Sequence, residues 1–175
     1  TEATLLSTLV SNPEFFVKFI LEAFASPIIG IEVVSNVIKT SAGVCLLGAV
    51  VIFFYLLALW MNVKYRLWER TILPLMLILI GGVNHALVLY SRWIFLQENY
   101  GMASRYAIQY EMGIFGILLT FAAVFALKRE RKQVLAVLAG GFICLLLAGN
   151  FYTTREELLK APLRKLSLEQ TIETA

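Results

Sequence analysis

A single histidine and two cysteines in 175 residues leave little material for several kinds of chemistry. One imidazole cannot build a His-rich metal site. Cys45 and Cys144 each sit inside an apolar run, without a CxxC or His-rich neighbourhood, so they read as small buried side chains and not as a disulfide or a metal pair. No metal and no cofactor are expected. Charge is sparse too: 15 Lys and Arg against 12 Asp and Glu leave a net +3, and the basic residues gather beside apolar runs instead of forming a stripe for nucleic acid. Nucleic acid is therefore not an expected partner. The sequence also lacks a Ser-His-Asp arrangement, a glycine-rich phosphate loop and a paired-carboxylate motif.

What it has in abundance is apolar sequence. Apolar residues make up 59%, with a mean hydropathy of +0.79, against roughly 45–50% apolar residues in a soluble domain. They fall in four runs, from Ser41 to Trp60, Thr71 to Tyr90, Met112 to Leu127 and Val134 to Tyr152. Such runs suit spanning helices, which need about 20 residues each. The third is short, so its helix should begin before Glu111 and hold that acid near the interface; a carboxylate at the bilayer centre costs about 2.5–3.5 kcal/mol. Trp60, Tyr65, Trp68, Tyr90, Trp93, Tyr106, Tyr110 and Tyr152 lie at or near run ends, as an aromatic belt requires. Gly48, Gly81, Gly82, Gly113, Gly116, Gly140 and Gly141 read as packing residues that let helices approach closely. The fold class is all-α, a polytopic transmembrane bundle of four spans preceded by an amphipathic interfacial helix.

Three regions follow. In residues 1–40, Asn12-Pro13 marks a helix start and Ser26-Pro27 its end. Between them Glu14, Lys18 and Glu22 form a solvated line, with Phe15, Phe16, Phe19, Ile20 and Phe24 on the other side. That helix suits either a membrane surface or the flank of other protein helices. Residues 41–153 hold the four spans. Residues 154–175 form a charged tail of short surface helices, broken at Pro162.

Lys64, Arg66 and Arg70 follow the first span, and Lys128, Arg129, Arg131 and Lys132 follow the third, against Arg92 and Arg105 in the middle loop. The positive-inside rule then puts both basic loops in the cytoplasm, and the N-terminal segment, the 90–111 loop and the tail outside. An outer N-terminal segment that starts at Thr1 without a signal-peptide pattern leads to the expectation of a further span upstream.

Two groups of residues are candidates for function. Asn84 and His85 lie inside the second span, where polar side chains face a partner helix or a cavity. A helix-helix hydrogen bond is the expected role, with a pigment ligand as the alternative. In the middle loop, Arg92-Trp93 and Arg105-Tyr106 place two guanidinium groups near the interface, suited to gripping a phosphate bidentately. Ser104 and Asn99 would add hydrogen bonds, and Glu98 and Glu111 are the loop's only carboxylates and so the candidates for a general base. The competing reading pairs both arginines with Glu98 and Glu111, which would simply fix the loop.

The order Asn12-Pro13, a Phe-rich helix, Ser26-Pro27, an apolar span, Tyr90-Ser-Arg92, then Gly101-Met-Ala-Ser104-Arg105-Tyr106 resembles the C-terminal portion of multi-pass bacterial envelope proteins. Some of those are similar to glycosyltransferases and polymerases that act on polyprenyl-linked sugars. The resemblance implies an outer-face site at Arg92, Ser104, Arg105 and Tyr106 in the inner membrane, with lipids and other membrane chains, or an upstream part of the same protein, as partners. The acidic residues that such transferases carry in an early outer loop are absent here. Two functions stay open: part of an enzyme handling a lipid-linked glycan or anionic lipid, or a non-catalytic subunit of a larger membrane complex.

Overall fold

The computed structural model describes residues 5–34, 40–96, 101–127 and 132–173. Among them every regular element is helical: α1 (Leu5–Ser11), α2 (Pro13–Ala25), α3 (Ile31–Val33), α4 (Ser41–Lys64), α5 (Leu73–Arg92), α6 (Ser104–Leu127) and α7 (Lys132–Glu173). Short 3-10 turns follow α4 at Leu67–Glu69 and α5 at Trp93–Phe95. Four stretches, Ser41–Lys64, Leu73–Phe95, Tyr106–Leu127 and Gln133–Leu163, are long and apolar enough to cross a membrane. The chain is thus a polytopic helical bundle. The third span does start ahead of Glu111, because α6 begins at Ser104.

Close backbone contact defines the tightest pair, α5 with α6. A Cβ added at Gly81 would lie 2.5 Å from the Gly113 Cα, and one at Gly116 would lie 2.6 Å from the Ile78 nitrogen. No larger residue fits there unless the helices part. The stripe is selective, however: at Gly82, Gly140 and Gly141 an added Cβ would meet nothing within 4 Å, so these three are not packing residues. A main core joins α4, α6 and α7 through Phe54, whose ring lies 6.0 Å from Phe121 and 4.3 Å from Phe142. Beneath it Asn62 Nδ2 donates to Thr120 Oγ1 at 2.8 Å, both residues fully buried, giving α4 and α6 a polar tie of the kind that specifies helix pairing in lipid.

Helix α2 is packed on protein. Its backbone at Leu21 lies directly against Gly48 of α4, and Phe15, Phe16 and Phe19 pack with Val88 of α5 and Tyr106 and Tyr110 of α6. The expected solvated line therefore holds for only two of its members. Glu14 and Lys18 pair at 2.8 Å in solvent, and the hydrogen bond from Lys18 keeps the Glu14 carboxyl below the usual carboxylate range. Glu22 instead is buried and accepts a 2.9 Å hydrogen bond from Ser41 Oγ. Ser41 opens α4, and the positive end of a helix dipole favours a carboxylate at that point. Ile20, expected on the covered side, is exposed. Asn12 precedes α2, but its side chain makes no capping hydrogen bond.

The tail also departs from expectation. Helix α7 runs for 42 residues with Pro162 inside it, unbroken across the 153/154 boundary. A proline removes one backbone bond and crowds the carbonyl four residues back. Leu, Lys, Arg and Glu around it are strong helix formers, and in this helix they outweigh that cost.

Candidate functional site

The polar loop between the second and third spans brings Arg92, the last residue of α5, beside Tyr106 in the first turn of α6. Arg92 Nε donates to the Tyr106 hydroxyl at 2.8 Å. The guanidinium carbon lies 6.0 Å from the Tyr106 ring centroid and 5.8 Å from that of Phe95, at the outer limit of cation–π attraction. Arg92 is half-buried at the end of the bundle, and the bond to Tyr106 orients its guanidinium through Nε. Of the residues expected to form a head-group site, the structure brings these two together. Ser104 and Arg105 share the first turn of α6 with Tyr106, but their side chains lie outside the described ones. Glu98 and Asn99 lie outside the described residues altogether. Glu111 is half-buried on α6 and makes no ion pair among the described residues.

A column of rings leads inward from this point. Tyr106 and Tyr110, one turn apart on α6, have centroids 6.4 Å apart. Tyr110 stacks on His85 at 3.9 Å and 16°, and Phe24 of α2 stacks on the opposite face of His85 at 3.9 Å and 8°. Tyr55 of α4 closes the cluster edge-on, 6.1 Å from His85 and 5.1 Å from Phe24. Helices α2, α4, α5 and α6 each contribute a ring. The edge-to-face contacts of Tyr55 are of the favoured kind, such pairs contributing about 0.5–1.5 kcal/mol beyond burial.

His85 is almost fully buried, and its Nδ1 lies 2.7 Å from the Gly81 carbonyl in the preceding turn. A carbonyl only accepts, so Nδ1 carries the proton and Nε2 is left as an acceptor in the neutral ring. Nε2 is buried and has no hydrogen-bond partner among the described residues. The neighbouring Asn84 reaches the other way, its Nδ2 donating across to the Gln109 carbonyl of α6 at 3.1 Å. An apolar groove between α2 and α5 ends on His85.

Several participants were not singled out from the sequence. Phe24 reads from the sequence as one residue of a covered face and Tyr110 as part of an aromatic belt, and nothing in the sequence gives Tyr55 a role. The four-residue spacings of Gly81 with His85 and of Tyr106 with Tyr110 were the available signal, since each pair falls on one helix face. Among the described residues no group of three or more His, Cys, Asp or Glu could hold a metal ion. Comparison of the chain with known protein families, with curated proteins and with solved structures returns no match.

Proposed function

We propose that this chain is an integral membrane protein of the bacterial inner membrane whose α5–α6 end faces outward and binds the phosphate of an anionic or glycan-linked lipid, within an enzyme that handles that lipid. The observation that carries this reading is Arg92, fixed through Nε by Tyr106 and flanked by aromatic rings where the two spans meet. A guanidinium oriented in this way is suited to planar, bidentate recognition of phosphate, and rings at the interface suit the boundary between head group and chain. Lys64, Arg66 and Arg70 at the opposite end of the spans favour an inward orientation for that end. Arg105, in the first turn of α6, is the second cation of the site, and Glu98 or Glu111 the assisting carboxylate.

The test is lipid mass spectrometry on the protein purified in mild detergent. Wild type is expected to carry a phospholipid or polyprenyl phosphate that Arg92→Ala loses and Tyr106→Phe, which removes the orienting hydroxyl, retains only in part. Arg92→Lys, with the charge but not the fork, should also lose most of it. Retention of the same lipid by Arg92→Ala would sink the reading.

A second reading, a non-catalytic subunit of a larger membrane complex, draws on α7. Only 11% of the apolar window of that span is buried, and Val134, Val137, Leu147 and Phe151 are exposed along it. Lipid or another chain covers such a surface. Native mass spectrometry showing a stoichiometric protein partner, still bound in the Arg92→Ala variant, would favour this second reading.

A further inference from the structure

We infer that the turn between α4 and α5 is a docking surface for an anionic phospholipid, with Lys64 and Arg70 on the lipid phosphate and Trp60 and Trp68 against its chains. The inference does not rest on the Arg92 site, which lies at the opposite end of the spans. Charge divides unevenly between those two ends. The α4–α5 turn carries Lys64, Arg66, Glu69 and Arg70, and the connection from α6 to α7, two crossings later and so at the same end, carries Lys128, Arg129, Glu130, Arg131 and Lys132. Seven cations against two carboxylates give this end a net +5. The other eight Lys and Arg stand against ten Glu, a net −2, and the two values make up the chain's +3. Like charges gathered at a membrane surface repel one another and attract anionic lipid.

The turn presents its charges on a fixed backbone. Leu67 at its centre is buried in the main core, and the amides of Arg70 and Thr71 both donate to the Leu67 carbonyl at 2.9 Å. Arg66 takes the left-handed conformation, φ 48°, that turns the chain after α4, and its side chain is paired with Glu69. Lys64 and Arg70 are exposed and make no ion pair among the described residues. Lys64 Nζ sits 4.1 Å over the Trp60 ring, a contact that places the ammonium without neutralising it. Residues 65–72 separate the two spans, so both cations stay at head-group depth. Around them Trp60, Val63, Trp68, Ile72 and Leu73 are exposed. A free phosphate or a nucleic acid would leave that apolar border uncovered. A ligand with a phosphate at one end and hydrocarbon at the other matches both parts, and indoles suit the boundary between them.

Tryptophan supplies the reporter. The chain has three, and Trp93 lies at the other end, so Trp93→Phe leaves Trp60 and Trp68 alone. The full chain with that change is placed in vesicles of phosphatidylcholine with a minor share of phosphatidylglycerol, and an equal small mole fraction of one lipid or the other is brominated along its chains. Both lipids occupy both leaflets, so the quenching of the two indoles does not depend on orientation. A lipid held at Arg92 does not enter the readout, and in the mass spectrometry of Arg92→Ala the changes Lys64→Gln and Arg70→Gln remove this end's share. Quenching should give brominated phosphatidylglycerol an association constant about fivefold or more above that of brominated phosphatidylcholine, the factor that about 1 kcal/mol for a cation near anionic lipid represents. Lys64→Gln with Arg70→Gln should bring the ratio close to one while quenching by brominated phosphatidylcholine stays unchanged, since both indoles still face lipid. Glu69→Gln releases Arg66 from its pair and should raise the ratio. Equal association of the two lipids in the parent chain overturns the inference and leaves the cations to an acidic protein surface. A ratio that the double change leaves intact, or that Glu69→Gln fails to raise, overturns it as well.

Discussion

Gly48 and Gly140 are both glycines in apolar helices, yet a methyl group would meet opposite surroundings at each. At Gly48 it would run into the Leu21 carbonyl, which belongs to backbone and cannot turn aside, whereas at Gly140 it meets open space. Gly48→Ala should therefore cost about 1–3 kcal/mol or more, the usual range for overpacking. Gly140→Ala should be neutral or stabilise by up to about 1 kcal/mol through helix propensity alone. Reversible unfolding in mixed micelles reads both, and equal effects would mean that α2 does not rest on α4. The sequence shows that both residues are small and lie in apolar runs. It cannot show which one faces a neighbouring backbone, because that depends on the relative rotation of two separate helices. The same limit hid Glu22: the four-residue charge spacing places it in line with Glu14 and Lys18, but the first turn of α4, which receives it, is 19 residues away in the chain.

At the scale of elements, the spans were legible because hydropathy needs only composition along one helix. Their docking was not. Helix α7 is held at the Pro27–Gly30 segment by two polar contacts between residues 123 apart: Asn150 Nδ2 donates to the Pro27 carbonyl at 3.1 Å, and the Gly30 amide donates to Thr153 Oγ1 at 2.9 Å. Gly149, immediately before Asn150, lets the backbones meet at Ile28. In the sequence Asn150 and Thr153 read as the polar end of an apolar run, and nothing marks their partners. The double change Asn150→Leu, Thr153→Val keeps the size of both side chains roughly constant and removes the donor and the acceptor. Leaving a part-buried amide unsatisfied costs about 1–3 kcal/mol, and with so little of α7 buried elsewhere that loss should fall on local opening. Hydrogen exchange at the Gly30 amide is expected to speed up by about tenfold or more, since about 1.4 kcal/mol corresponds to a factor of ten, while exchange at the α5–α6 contact stays as in wild type. Uniform acceleration across the bundle would instead make α7 part of one cooperative unit.

For the whole molecule, four crossings put the α1–α2 region and the far end of α7 on one side of the membrane, together with the Arg92–Tyr106 end. The other side receives the α4–α5 turn, where Lys64 lies 4.1 Å over the Trp60 ring, Arg66 pairs with Glu69 at 2.6 Å, and Arg70 and Trp68 face outward. The positive-inside rule expects a turn rich in Lys and Arg on the cytoplasmic side, whereas its indoles suit either interface, and the proposed head-group site depends on that orientation, which sets the leaflet Arg92 would meet. Single cysteines at Ser11→Cys, Arg70→Cys and Thr154→Cys, in a background with Cys45→Ala and Cys144→Ala, separate the two orientations. All three positions are exposed in the fold, so accessibility reports sidedness and not burial. A membrane-impermeant maleimide applied to intact cells should label Ser11→Cys and Thr154→Cys, and should label Arg70→Cys only after lysis. The reverse pattern would turn the bundle over, place Arg92 and Tyr106 against the cytoplasmic leaflet, and exclude any ligand presented from outside. Labelling of all three in intact cells would contradict the spans themselves, because an odd number of crossings, one before that turn and three after it, separates it from each flanking segment.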